Sequence, residues 1–150
     1  MSDLETFNYF FPQFTELNDE IQFSSYDSGS FITHEGESLN HIYFFLNGSA
    51  WVYQNQANGR AYLFQVYSPG WSIGDIEFFL NCPASCSVKT TSVVRVGVIA
   101  HDTLRLVCLR KSSLVNDLAK GLAEKLRRNS FDAAKNMSFP LINRLASYLK

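Results

Sequence analysis

No run of about 18 apolar residues, the length that would suggest a membrane-crossing helix, occurs in this 150-residue chain. A secretory leader would begin basic and then turn apolar, whereas residues 1–11 are acidic and aromatic, with Asp3, Glu5, Phe7, Tyr9, Phe10 and Phe11. Cysteine is sparse: Cys82, Cys86 and Cys108 form an odd count, which argues against a disulfide-stapled secreted scaffold. Together these features predict a cytoplasmic protein without a membrane segment. Charge of one sign is also missing. Thirteen Lys and Arg against 14 Asp and Glu leave a formal net charge of −1, so there is no basic field of the kind that binds phosphate backbones. The densest basic group, Lys125, Arg127, Arg128 and Lys135, reads as the solvated face of a helix.

Catalytic signatures are absent as well. The chain has no Gly-x-Ser-x-Gly elbow, no His-x-x-x-His pair and no glycine-rich loop ending in Lys-Ser or Lys-Thr. Its three histidines, His34, His41 and His101, are scattered and do not supply the His-rich metal set of a cupin-type barrel. Asp75 and Glu77 stand two apart on a helical turn and diverge, so they do not form an acid–base pair. The expectation is a binding protein, with no catalytic residue, metal or cofactor.

What the chain does have is core-forming material, 46% hydrophobic and 15% aromatic residues, enough for one packed domain. Gly36, Gly48, Gly59 and Gly70 follow one another at intervals of 12, 11 and 11, and Gly74 comes four later. Between them lie runs of aromatic and β-branched residues, 41–46, 50–53 and 61–67, suited to pleated, half-buried strands. Asn47-Gly48 and Asn58-Gly59 tolerate positive φ, and each is expected to join its flanking strands as an antiparallel hairpin. That pattern gives a meander or a jelly-roll. Residues 74–79 read as one short helical turn opening on acid, whose backbone N–H groups are placed to hold an anion. Strand formers return at 87–91 and 93–99.

Helix formers take over from His101, with Leu104, Val107 and Cys108 on one face. A second helix is predicted over 113–135, where Leu114, Leu118, Leu122 and Leu126 recur at steps of four. At 1.5 Å per residue it is a rod of roughly 30 Å, longer than a small roll covers. A partner surface is implied.

Taken in order, His34-Glu35-Gly36-Glu37, Ile42 to Ala50, Asn58-Gly59-Arg60, Ser68-Pro69-Gly70 and Ile73-Gly74-Asp75-Ile76-Glu77-Phe78-Phe79 resemble the sensor domain of Crp-Fnr type transcription regulators. The resemblance covers roughly residues 20–150. It implies a mainly β fold: a double-stranded β-helix, or jelly-roll, with an N-terminal helix and a long C-terminal dimerisation helix. The implied organisation is a cyclic nucleotide-binding-like roll over 1–112, a dimerisation helix over 113–136, and over 137–150 the hinge and first helix of a winged helix-turn-helix. Asn136, Ser138, Phe139, Pro140, Leu141, Asn143, Arg144, Leu145 and Ala146 are similar to one subgroup of these regulators. The chain is then expected to lack the reading head, so that DNA is a partner of a longer protein.

In the nucleotide-binding members, the resemblance implies, a glycine-acid pair holds the ribose hydroxyl and an arginine about ten residues later clamps the phosphate. Here the pair is Gly74-Asp75, with Asp for the commoner Glu, and the arginine position falls on Ser85, followed by Cys86 and Ser87. Without a guanidinium contact of roughly 1.5–3 kcal/mol per bond, a phosphate would face Asp75 and Glu77 with little compensation. The expectation is a sensor unresponsive to cyclic AMP, whose small-molecule pocket comprises Gly74, Asp75, Ile76, Glu77, Ser85, Cys86 and Ser87. Phe64 and Trp71 lead the candidate aromatic lining, with Trp51, Tyr53 and Phe79 behind them. Cys82, Cys86 and Cys108 are a candidate redox group, one thiol short of the four that an iron–sulfur cluster takes. A homodimer is expected to pair Leu114, Leu118, Leu122 and Leu126 as a seam, with Lys125 on the same helix and Gly121 allowing close approach. The alternative is a stand-alone small-molecule-binding or interaction module of the same fold.

Overall fold

The computed structural model describes residues 1–55 and 57–128, with Phe64 described by its backbone only. Aromatic side chains set the first element. Ser2 Oγ accepts from the Glu5 N–H and caps α1 (Asp3–Phe10), and a 3₁₀ segment (Pro12–Leu17) follows. From these Phe7, Phe11 and Phe14 pack around Phe44 with ring centroids 4.9–5.6 Å from it.

Eight strands follow: β1 (Gln22–Tyr26), β2 (Phe31–Thr33), β3 (His41–Asn47), β4 (Ala50–Asn55), β5 (Ala61–Tyr67), β6 (Ser72–Ile73), β7 (Ser87–Thr90) and β8 (Val94–Ala100). They form two antiparallel sheets, ordered β1-β8-β3-β6 and β2-β7-β4-β5. Three neighbouring ribbons, β1/β2, β8/β7 and β3/β4, each start in one sheet and cross to the other, which makes the fold a jelly-roll.

Asn58-Gly59 does join β4 to β5 as a hairpin, but Asn47-Gly48 does not join β3 to β4 as one, because those strands lie in different sheets. Gly48 is instead the corner at which the ribbon folds over. Its φ of 90° requires glycine, and a Cβ there would overlap the Val93 carbonyl of the adjoining corner. The Ser49 N–H donates to Ser92 Oγ at 3.0 Å and pins the two corners together.

Between its exposed polar ends, His41 and Asn47, strand β3 is apolar because both of its faces are covered. Phe45 points between the sheets, among Val52, Val88, Val94 and Val96. Ile42, Phe44 and Leu46 point outward, under α1, the 3₁₀ segment and two later helices. Those two are α3 (His101–Arg110), which adds Leu104 and Val107, and α4, described over 113–128, which adds Leu114 and Leu118. Residues 129–136 of the expected dimerisation helix, and the hinge motif around Phe139-Pro140, lie outside the described residues. Among the described residues no helix is long and apolar enough to cross a membrane.

Candidate effector pocket

Between β6 and β7 lies α2 (Asp75–Leu80), the short acidic helix read from the sequence. Gly74 starts it with φ 96°, and a Cβ there would overlap the His41 carbonyl, so the entry to the helix is pressed onto β3. His101 Nε2 lies 2.9 Å from the Gly74 carbonyl, which can only accept, so this nitrogen carries the proton. Burial holds the His101 pKa below its ordinary value, although the Gly74 hydrogen bond and Glu77 push the other way.

A cavity of about 410 Å³ opens beside α2. Thr33, Leu39, Ile73, Gly74, Ile76 and Glu77 line it from the roll, with Ser85 and Cys86 from the loop before β7 and Gln54 and Tyr67 from β4 and β5. Leu122, Ala123, Lys125 and Leu126 close it from α4. The loop that carries Ser85 is held from several directions. Ala84 exchanges backbone hydrogen bonds with Gly36 and Glu37 (both 2.9 Å), Gln54 Nε2 donates to the Ser85 carbonyl at 2.9 Å, and Thr33 Oγ1 donates to that of Cys86 at 3.1 Å.

Two buried carboxylates divide the site. Glu77 Oε2 accepts from both the N–H and the hydroxyl of Ser85, at 3.1 and 2.9 Å. Asp75 accepts from Ser72 Oγ (3.0 Å) and from the Ile76 N–H (3.0 Å). The second N–H of α2 is thus taken by the chain's own carboxylate rather than offered to a foreign anion. Lys125, reaching down from α4, donates to the Ser72 carbonyl at 2.6 Å and to Asp75 Oδ1 at 3.1 Å, and sits 5.1 Å from the centre of the Tyr67 ring. Burial by itself would lower the Lys125 pKa. The Asp75 carboxylate and Tyr67 outweigh it and hold that pKa above the ordinary lysine value.

Of the residues proposed from sequence, Gly74, Ile76, Glu77, Ser85 and Cys86 are brought to one cavity, and Asp75 lies just behind it on Lys125. Ser87 is buried nearby and accepts from the Glu35 N–H at 3.0 Å. Trp71 does not line the cavity. It stacks on Tyr67 with centroids 4.6 Å apart and on its own side meets the Arg128 guanidinium at 4.5 Å, so Tyr67 is the ring that faces the pocket. Half of Trp51 and 40% of Phe79 are exposed, and Tyr53 lies on β4 away from the cavity. Phe64 is placed in β5, and its side chain lies outside the described atoms.

The three cysteines are unpaired thiols. Burial, reinforced by Glu77, pushes Cys86 up to about 11, and burial raises Cys108, which rests against the helical core. Among the described residues no group of His, Cys, Asp and Glu is arranged to hold a metal ion.

The leucines of α4 do not all share one environment. Leu114 and Leu118 are buried inside the chain against the Phe7–Phe11–Phe14 cluster rather than offered to a partner, because the 3₁₀ segment lies along that side of the helix. Gly121 faces the same way, with a Cβ there 4.0 Å from the Phe14 ring. Lys125, read as part of a solvated face, is buried. Nothing in its spacing distinguishes it from Lys120 or Arg128, and only the meeting of α4 with α2 selects it.

Comparison with known proteins agrees with this geometry. The profile of the cyclic nucleotide-binding domain family matches residues 23–111. Regulatory protein YeiL of Escherichia coli O157:H7 is 24% identical over 135 residues, covering 90% of this chain and 62% of that protein. The CRP-like cAMP-activated global transcriptional regulator of Mycobacterium tuberculosis is 24% identical over 133 residues, covering 89% of this chain and 59% of the regulator. The chain therefore spans about three fifths of these curated relatives' length. A cyclic nucleotide-binding domain from Methylobacillus flagellatus superposes with a TM-score of 0.79 at 15% identity, covering 89% of this chain and 82% of that one. The regulatory subunit of a cAMP-independent protein kinase A from Trypanosoma cruzi, solved bound to guanosine, superposes with a TM-score of 0.62 at 22% identity, over 72% of this chain and 42% of that one. With the roll, its short acidic helix and the matched segment in agreement, the chain belongs to the cyclic nucleotide-binding domain family and is homologous to CRP-like regulators.

Proposed function

We propose that this chain is the effector-sensing and dimerisation part of a CRP-like DNA-binding transcription regulator, and that cyclic AMP is not its effector. The observation that carries the reading is the cavity closed on one side by α4, with the buried Lys125–Asp75 pair joining that helix to α2. A molecule entering the cavity meets Leu122, Ala123 and Lys125 directly. Its affinity then depends on where α4 lies, which is what a ligand needs in order to shift a conformational equilibrium. Ser85, standing where the resemblance implies the phosphate-clamping arginine, supports the lack of response to cyclic AMP. Asp75 is paired with Lys125 and Glu77 Oε2 is held by Ser85, so the two do not converge as an acid–base pair, which supports binding rather than catalysis.

The same helix supports a homodimer, on a revised seam. Val115, Ala119, Leu122 and Leu126 recur at steps of four, three and four, the heptad spacing of paired helices. Val115 and Leu126 are 40% and 69% exposed. The test is light scattering on the wild type, Val115→Glu and Leu126→Glu. The reading expects a dimer that either substitution dissociates with the roll still folded. A monomeric wild type, or a dimer indifferent to both changes, would remove the seam.

A further inference from the structure

In this pocket the hydrogen-bond donors of Ser85 are satisfied by the chain itself. Ser85 offers two donors, its N–H and its hydroxyl, and both end on Glu77 Oε2. The ammonium on the wall, Lys125, is committed to Asp75 and to the Ser72 carbonyl. Lys125 is matched by Asp75, whereas Glu77 forms no ion pair among the described residues and leaves an unmatched carboxylate on the cavity wall. Glu77 lines the cavity and, among the described residues, receives no hydrogen bond at Oε1.

We propose that the cavity takes an uncharged nucleoside rather than a nucleotide, with Glu77 accepting hydrogen bonds from the sugar hydroxyls where a phosphate would otherwise lie. This rests on reading the cavity as the effector site. A phosphate brought to Ser85 would have to displace Glu77 and leave its carboxylate buried beside a second anion. A neutral molecule with adjacent hydroxyl donors avoids that conflict. Leu39, Ile73, Ile76, Leu122 and Ala123 supply an apolar wall for a heterocyclic base. A volume of about 410 Å³ is within the range of roughly 300–1,000 Å³ typical of small-molecule sites.

The experiment is calorimetric titration of the full chain with adenosine, guanosine and 3′,5′-cyclic AMP. Adenosine or guanosine is expected to bind at least tenfold more tightly than cyclic AMP. Glu77→Gln, which keeps the side-chain volume and an acceptor for Ser85, is expected to weaken the nucleoside about tenfold. The double variant Glu77→Ala, Ser85→Arg is expected to narrow or invert the preference. Far-ultraviolet circular dichroism confirms that each variant is folded, and the wild-type comparison stands without them. Cyclic AMP binding as tightly as either nucleoside would overturn the nucleoside proposal and leave an effector pocket in place. Binding of none of the three would also overturn it. The regulator reading fails on separate grounds, by the light-scattering result.

Discussion

Replacing Lys125 with methionine should destabilise the protein by about 3 kcal/mol. Lys125 Nζ lies 3.1 Å from Asp75 Oδ1, and the two side chains are 9% and 8% exposed. At an effective dielectric near 20, charges at that separation attract by about 5 kcal/mol before desolvation is counted. Removing one partner of a buried pair typically costs about 3–5 kcal/mol, because the other charge stays behind. Asp75 would keep the Ser72 hydroxyl and the Ile76 N–H, each at 3.0 Å, which puts the expected loss at the lower end. For a domain of this size that is a fall in melting temperature of roughly 6–12 °C. Urea unfolding followed by tryptophan fluorescence measures it. In a double-mutant cycle, Lys125→Met with Asp75→Asn should cost less than the sum of the single changes by about 1–3 kcal/mol. The Lys125 pKa is raised above its ordinary 10.5, so the stability linked to this lysine's proton is full just below that value and is lost as pH rises through the folded-state pKa. A single variant within about 0.5 kcal/mol of wild type, the usual range for surface substitutions, or a strictly additive cycle, would refute the reasoning.

Other expectations follow from the same geometry. Leu118→Arg buries an unpaired charge at a position only 3% exposed and should destabilise the fold by about 4 kcal/mol or more, visible in thermal unfolding, rather than merely dissociate a dimer. The folded-state pKa of His101 lies below its ordinary 6.5, so the unfolded chain takes up a proton first; stability should fall as pH drops below about 6.5, and His101→Gln should flatten that slope in urea midpoints. With its thiol pushed up to about 11, Cys86 should alkylate at neutral pH roughly a hundredfold more slowly than an ordinary thiol, read by mass spectrometry of the labelled peptide. Gly74→Ala would need a conformation that L residues rarely adopt and would overlap the His41 carbonyl; a loss of about 3 kcal/mol or more is expected by urea unfolding.

Much of the roll could be read from local chemistry. Strands β3, β4, β5, β7 and β8 coincide with aromatic or β-branched runs, and the turn glycines do adopt positive φ. Sheet membership was not legible, because Asn47-Gly48 has the composition of a hairpin turn whether or not its strands pair. What makes it a corner is the long-range pairing of β3 with β8 and of β4 with β7. Strand β6, with two residues, is too short to carry an alternation, and β1 is too polar to announce itself. At the site, Gly74 and Glu77 were marked by the short acidic turn, and Ser85 by the family resemblance. The hydrogen bonds between Glu77 and Ser85 link positions eight apart and depend on how the intervening loop is folded back, which no local pattern states. In α4 the i+4 leucines were visible, but Val115, Ala119, Leu122 and Leu126 form a second apolar stripe on the same helix, and the sequence does not say which stripe turns inward. Only the position of the 3₁₀ segment decides that Leu114 and Leu118 turn inward.

A native mass spectrum of the protein titrated with adenosine, and separately with cyclic AMP, tests the account most directly, because it reports subunit count and occupancy together. The account predicts a dimer that gains one nucleoside per chain, adenosine or, in a parallel titration, guanosine, and at the same concentration little cyclic AMP. A monomer that takes up none of these molecules would contradict it.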